Sequence, residues 1–186
     1  MNAAQIQKDT KDRMDKALDV LKNELKGLRT GRASPALLDS IRVDYFGSPT
    51  PLKQLGNITA PEPTQLLIKP FDLNSLKDIE KAIRSSDLGL APNNDGKVIR
   101  LQIPTMSGEQ RTKMAKKIKE VAEHAKVSCR NIRRDANKHF DDGEKAKTMS
   151  EDDVKKGKDD IQNLLKLYEG KIDEIASTKT KEVMEQ

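Results

Sequence analysis

The sequence predicts an α+β protein: an elongated three-helix bundle with a small mixed α/β domain inserted after its first helix. Three observations predict this. Apolar residues step by threes and fours along three separate stretches. All eight prolines fall between Pro35 and Pro104. Within that same interval the apolar pattern changes from helical steps to alternation, the period of a half-buried strand.

The first helical stretch places Met14, Leu18, Leu21, Leu25 and Leu28 in a heptad-like seam, with Ile6 extending it toward the N-terminus. It is expected to stop at Thr30-Gly31-Arg32, where Gly31 can take a capping conformation and Pro35 discourages continuation.

In the insert, Ile41, Val43 and Tyr45 alternate, as do Leu66 and Ile68 beside Leu67, and Val98, Ile99, Leu101 and Ile103 make a further strand-like run. Turn signals stand at Gly47-Ser48-Pro49 and Asn93-Asn94-Asp95-Gly96. One helix is expected from about Ser75 to Ser86, with Gly89 beyond it. The expected division is residues 31–105 for the insert and residues 1–30 with 106–186 for the bundle. The chain then crosses between them twice, and Thr30, Gly31, Pro104 and Thr105 form a candidate hinge on which the two bodies pivot. A fixed interface is the alternative.

The second helix begins at Ser107, which with Gln110 makes a capping box. Met114, Ile118, Val121, Ala125, Cys129, Ile132, Ala136 and Phe140 carry it to about Gly143, a helix of ~55 Å. Ser150 with Asp153 caps the third, in which Ile161, Leu165, Tyr168, Ile172 and Ile175 form the seam. The short link from Gly143 to Met149 makes these two helices antiparallel neighbours.

Composition constrains the partners. The chain has 186 residues, 34% of them hydrophobic and 3% aromatic, so its cores must be aliphatic. Charged residues make up 35%, which fits long solvated helices, and the strong periodicity argues against a disordered chain. The net charge is +5, yet residues 111–138 hold ten Lys or Arg against three Asp or Glu, leaving −2 for the rest. Basicity concentrated on one helix favours a localised anionic partner.

At about 100° per residue, Lys119, Lys126, Arg130, Arg133 and Asn137 fall within a ~60° wedge beside the packing stripe. Guanidinium groups one turn apart match successive phosphates, and Asn137 adds a donor and an acceptor for a sugar or base edge. Clustered aromatics for stacking unpaired bases are missing, so structured RNA read by backbone and shape fits better. The competing reading pairs these arginines with acids of neighbouring helices. Only Asp135 offsets them locally, and Arg134, ~80° from the stripe, is the expected intramolecular pairer.

Nothing assembles an active site. His124 and His139 match no zinc spacing, and Cys129 falls on the packing side, where a small buried hydrophobe is expected. The acidic groups at 141–144 and 151–153 lack the alternating ligands of a calcium loop, and no phosphate-cradling glycine motif occurs. We therefore expect no enzyme, cofactor or metal. A lone cysteine, no export-type N-terminus and no run of 18 apolar residues lead us to expect a cytoplasmic protein without a membrane partner.

Four blocks, in order along the chain, resemble the bacterial ribosome recycling factor family. They are Arg29-Thr30-Gly31-Arg32-Ala33-Ser34-Pro35 with Tyr45-Phe46-Gly47 and Pro49-Thr50-Pro51-Leu52; Ser86-Asp87-Leu88-Gly89-Leu90 with Pro92, Asp95-Gly96 and Ile99-Arg100; Arg130 to Asn137; and Ser150-Glu151-Asp152-Asp153 with Asp160-Ile161-Gln162. Cys129 stands where a small apolar residue is expected, Leu165-Lys166 replace Thr-Asp, and Ser107 replaces Thr.

The resemblance implies an L-shaped monomer that binds the ribosome after termination. With elongation factor G and GTP hydrolysis it would split the subunits and let messenger and deacylated transfer RNA leave. The bundle would contact large-subunit ribosomal RNA, and the insert would meet elongation factor G. The candidate RNA-binding set is Arg29, Arg32, Arg111, Lys119, Lys126, Arg130, Arg133 and Asn137. A helical RNA-binding or coiled-coil scaffold protein is the alternative function.

Overall fold

The computed structural model describes residues 1–185. They form two units, one of Met1–Leu25 with Lys113–Met184 and one of Lys26–Thr112.

In the first unit, the seam of the N-terminal stretch forms helix α1 (Ala3–Lys26), which buries Ile6, Met14, Leu18, Leu21 and Leu25. Asn2 and Gln5 cap it reciprocally: the Gln5 N–H donates to Asn2 Oδ1 at 2.9 Å and the Asn2 N–H to Gln5 Oε1 at 2.8 Å. The helix ends at Lys26, earlier than expected, and Leu28 lies beyond it, half-buried. Gly31, at φ +75°, therefore serves the following turn and not the helix cap.

Helix α4 (Gly108–Lys145) starts on the expected capping box: the Gln110 N–H donates to Ser107 Oγ at 3.2 Å and the Ser107 N–H to Gln110 Oε1 at 3.0 Å. Helix α5 (Glu151–Met184) starts at Ser150, whose Oγ accepts from the Asp153 N–H at 3.1 Å. Three first-turn carboxylates there meet the positive end of the helix dipole.

The two helices are antiparallel. Asp141 pairs with Lys158, Arg130 with Glu169 and Lys126 with Asp173, so each step back along α4 is a step forward along α5. Ile6, Ala136, Phe140, Val154 and Ile161 close a core to which all three helices contribute.

Tyr168 is buried, and its hydroxyl donates to Asp15 of α1. Burial, then this contact, holds the phenol well above its ordinary value of 10.0. The same hydrogen bond holds Asp15 below its ordinary 3.8. Raised in the fold, the tyrosine contributes stability that is complete below pH 10 and is lost as pH rises above it. Lowered in the fold, Asp15 contributes above pH 3.8 and loses its share as pH falls through that range. Urea midpoints measured from pH 7 to 11 are expected to fall less steeply in Tyr168→Phe than in the parent. An identical alkaline slope would show that the phenol is not the titrating group.

The second unit begins with a 3-10 turn (Pro35–Leu38), where Ser34 Oγ accepts from the Ala36 N–H. Strands β1 (Arg42–Tyr45) and β2 (Ser48–Pro51) form a hairpin, with Tyr45 opposite Ser48. Its two-residue turn is Phe46-Gly47, at φ +50° and +79°, the twist of a primed turn. The one-turn helix α2 (Leu52–Leu55) leads to β3 (Gly56–Glu62) and β4 (Gln65–Pro70). Helix α3 (Leu76–Arg84) lies within the expected Ser75–Ser86 span, and β5 (Pro92–Asn94) and β6 (Ile99–Gln102) complete an antiparallel sheet of order β3-β4-β6-β5.

Leu66, Ile68, Ile99 and Leu101 of the central strands meet Ile79 and Ile83 of α3 in a wholly aliphatic core. Three strands lie where alternation gave no warning, β2, β3 and β5. Each is an edge strand, where proline is tolerated because one side of the backbone needs no partner. Ser48 and Pro49, expected as turn residues, belong to β2, and Asn93-Asn94 belong to β5.

Candidate nucleic-acid interface

Helix α4 carries the concentrated positive charge because its residues 111–138 hold ten Lys or Arg against three Asp or Glu, while Ile118, Ala125, Cys129, Ile132 and Ala136 face the core. Cys129 is buried, and burial raises its thiol above the usual range, then Glu169 adds to the effect. That environment fits a packed hydrophobe and not a nucleophile.

The five residues of the wedge have different fates. Lys126 Nζ lies 2.6 Å from Asp173 Oδ1. Arg130 donates through Nε to Glu169 at 2.8 Å and through Nη1 to Glu123 at 3.0 Å. Its hydrogen bonds to Glu123 and then Glu169 raise its pKa above the ordinary value. Arg133 donates through Nη1 to the amide oxygen of Gln162 at 2.9 Å. The Arg133 Nε and the Asn137 Oδ1 are both buried without a hydrogen-bond partner. Lys119 is exposed. The wedge is thus the flank of α4 that looks along α5, and three of its cations are oriented by α5 side chains.

Two expectations about charge are corrected. Arg134, singled out as the intramolecular pairer, makes only a local bond to Asn131 Oδ1 at 3.2 Å and is exposed. Arg130 is the residue with two carboxylate partners. Asp135, expected to offset the stripe locally, instead pairs with Arg13 of α1 at 2.7 Å, and that bond holds its carboxyl below the usual range. Helical-wheel angles see one helix, whereas Arg13, the partner of Asp135, stands on α1, and Glu169, one of the two carboxylates on Arg130, stands on α5.

Of the remaining candidates, Arg111 is half-buried in the first turn of α4, and its backbone N–H donates to Ser107 O at 3.0 Å. In the second unit Arg29 Nη2 donates to Asp87 O at 3.0 Å, and Arg32 is exposed. Thr30 and Gly31 are buried there, and Pro104 and Thr105 are exposed. The chain on either side of the insert is tied to one turn. The Ala33 N–H donates to Pro63 O and the Ile103 N–H to Thr64 O, each at 2.7 Å, so the two passages leave the sheet side by side.

The acceptors on α5, Gln162, Glu169 and Asp173, are not among the residues that the sequence pattern marks as site residues. The signal was present, because in an antiparallel pair they fall opposite Arg133, Arg130 and Lys126 in reverse order. Among the described residues no group of three or more His, Cys, Asp or Glu could hold a metal ion, and no helix is long and apolar enough to cross a membrane.

A family model described as ribosome recycling factor matches residues 21–184. A ribosome-recycling factor of Natranaerobius thermophilus is 49% identical over 178 residues, covering 96% of this chain and 97% of its own. A solution structure of a ribosome recycling factor superposes with a TM-score of 0.81 at 38% identity, covering 100% of this chain and 99% of that one. A second structure has a TM-score of 0.70 at 40% identity and covers 99% of this chain and 100% of its own; it places a T. thermophilus ribosome recycling factor and E. coli elongation factor G on the E. coli post-termination complex. Helices, inserted sheet and basic α4 all lie inside these near-complete matches, and the chain belongs to the ribosome recycling factor family.

Proposed function

We propose that the protein binds the post-termination ribosome in the cytoplasm and, with elongation factor G and GTP, splits the subunits and promotes release of messenger and deacylated transfer RNA. One observation carries this reading: end-to-end similarity, at 40% identity, to a factor placed with elongation factor G on a post-termination complex. The protein is a translation factor and not an enzyme; GTP hydrolysis belongs to the partner.

In this reading the bundle, residues 1–30 and 106–186, is the arm that holds large-subunit ribosomal RNA. Arg111, Lys119, Lys126, Arg130, Arg133 and Asn137 of α4, with Arg29 and Arg32, supply the contacts. The concentration of charge on α4 supports this, since binding to RNA backbone draws on phosphate neutralisation. The insert, residues 31–105, is the arm the GTPase pushes. Thr30, Gly31, Pro104 and Thr105 act as its hinge, a role supported by the two adjacent passages tied to Pro63 and Thr64.

The test is a subunit-splitting assay with the purified protein. Splitting is expected only when elongation factor G and GTP are both present, and a protein inert with both sinks the reading. The same assay tests the hinge: a crosslink that locks the two units together is expected to stop splitting and spare binding. Undiminished splitting by the locked protein would exclude the pivot.

A further inference from the structure

We propose that Gln162 is a positioning residue that holds Arg133 in a fixed orientation without neutralising it, leaving Arg133 as the wedge's oriented and fully charged guanidinium. The inference rests on the RNA-binding reading of α4 and specifies which of its cations a phosphate meets.

Three cations of the wedge each have a partner on α5, and the partners differ in charge. Lys126 faces the carboxylate of Asp173 at 2.6 Å. Arg130 faces Glu169 at 2.8 Å and also Glu123 of its own helix at 3.0 Å. Arg133 alone faces an amide, its Nη1 donating to Gln162 Oε1 at 2.9 Å. A carboxylate orients a guanidinium and cancels its field. An amide oxygen accepts the same N–H, gives the same direction, and leaves the full positive charge.

The rest of the surroundings agree. Among the described residues no Asp or Glu pairs with Arg133, while its Nε–H and the Asn137 Oδ1 one turn further on are buried and unpartnered. Of its five N–H groups, Gln162 takes one, and the Nη2 edge remains available for an incoming phosphate oxygen. A long side chain already held in one direction loses less freedom when an anion binds. Arg134 is charged and exposed, but only Asn131 of its own helix touches it, at 3.2 Å.

The chemistry singles out one informative replacement. Gln162→Glu is nearly isosteric and turns the amide contact into an ion pair, giving the wedge three neutralised cations in a row. Melting temperature is expected to stay level or rise, because a salt bridge replaces a hydrogen bond to a neutral amide. Binding to isolated large subunits at 0.1 M salt is expected to weaken on the order of tenfold, with the slope of log K against log salt shallower by about one. Gln162→Ala keeps the charge and loses the aim, so it is expected to weaken binding a few-fold with the slope unchanged. In an Arg133→Ala background Gln162→Glu should have little further effect.

Parent-like affinity and slope in Gln162→Glu, alongside weakened binding in Arg133→Ala, would overturn the role of Gln162 and leave the RNA reading standing. Unchanged binding in Arg133→Ala itself would overturn both. Should Gln162→Glu fail to fold, a slope that became shallower in Gln162→Ala would equally overturn the division between aim and charge.

Discussion

Gly157→Ala is expected to destabilise the bundle by about 3 kcal/mol, although alanine is the better helix former by ~1 kcal/mol. Gly157 sits on α5 against the ring of Phe140 on α4, and a Cβ added there would lie 2.3 Å from Phe140 Cε1 and 2.4 Å from Cζ. Carbon atoms in good contact stand about 3.5–4 Å apart, so the overlap exceeds 1 Å. Phe140 is fully buried among Ile6, Ala136, Val154 and Ile161, so any movement of its ring displaces packed side chains. Either the ring leaves the core or α4 and α5 separate, and expelling a phenylalanine outright costs about 3–5 kcal/mol. Gly170, on the same helix, is the internal control. It is exposed and a Cβ there meets nothing within 4 Å, so Gly170→Ala should stabilise by about 0.5–1 kcal/mol. Urea midpoints moving in opposite directions for the two substitutions are the expected result. In the double variant with Phe140→Leu, much of the Gly157→Ala penalty should disappear, since the clash is with the ring. A Gly157→Ala protein as stable as its parent would mean that the two helices do not pack this closely.

What lies within one helix is legible in the sequence, and what depends on a neighbouring element is not. Long helices advertise themselves because a seam such as Met14, Leu18, Leu21 and Leu25 repeats the same signal several times, and two of the three caps were readable from Ser107 with Gln110 and Ser150 with Asp153. Strands β2, β3 and β5 carry no such repetition. β3 has a single partly buried apolar side chain, Ile58, among exposed neighbours, and it exists because β4 offers it a backbone ladder. Charge was harder still. That α4 is basic is a matter of counting, but which of its arginines remains free depends on α5. Glu169 lies 39 residues from Arg130 in the chain, and no wheel drawn for one helix includes it. The pairing order could be inferred only after the antiparallel arrangement was used to lay one helix against the other.

Arg133→Ala is expected to reduce large-subunit affinity on the order of tenfold at 0.1 M salt, with a salt slope shallower by about one, while leaving the urea midpoint nearly unchanged. The reasoning starts from what each arginine leaves behind. Removing Arg133 deserts only the neutral amide of Gln162, so the fold loses little. Removing Arg130 deserts two carboxylates, and Glu169 is only 27% exposed. Arg130→Ala should therefore lower the urea midpoint as well as RNA affinity, since an unpaired carboxylate remains on the α5 flank. Adding Glu169→Gln to Arg130→Ala should recover stability, and it should recover binding in proportion to the negative charge it removes. The two arginines, one turn apart on one edge, are thus separable by experiment: one change read in binding alone, the other in binding and folding together. Subunit splitting should follow binding in both, because a weakened anchor leaves the partner GTPase less to push against. If Arg133→Ala unfolded as readily as Arg130→Ala while binding RNA normally, the free charge on this edge would be structural, and the anchor would have to be sought among the exposed bases, Arg134 first.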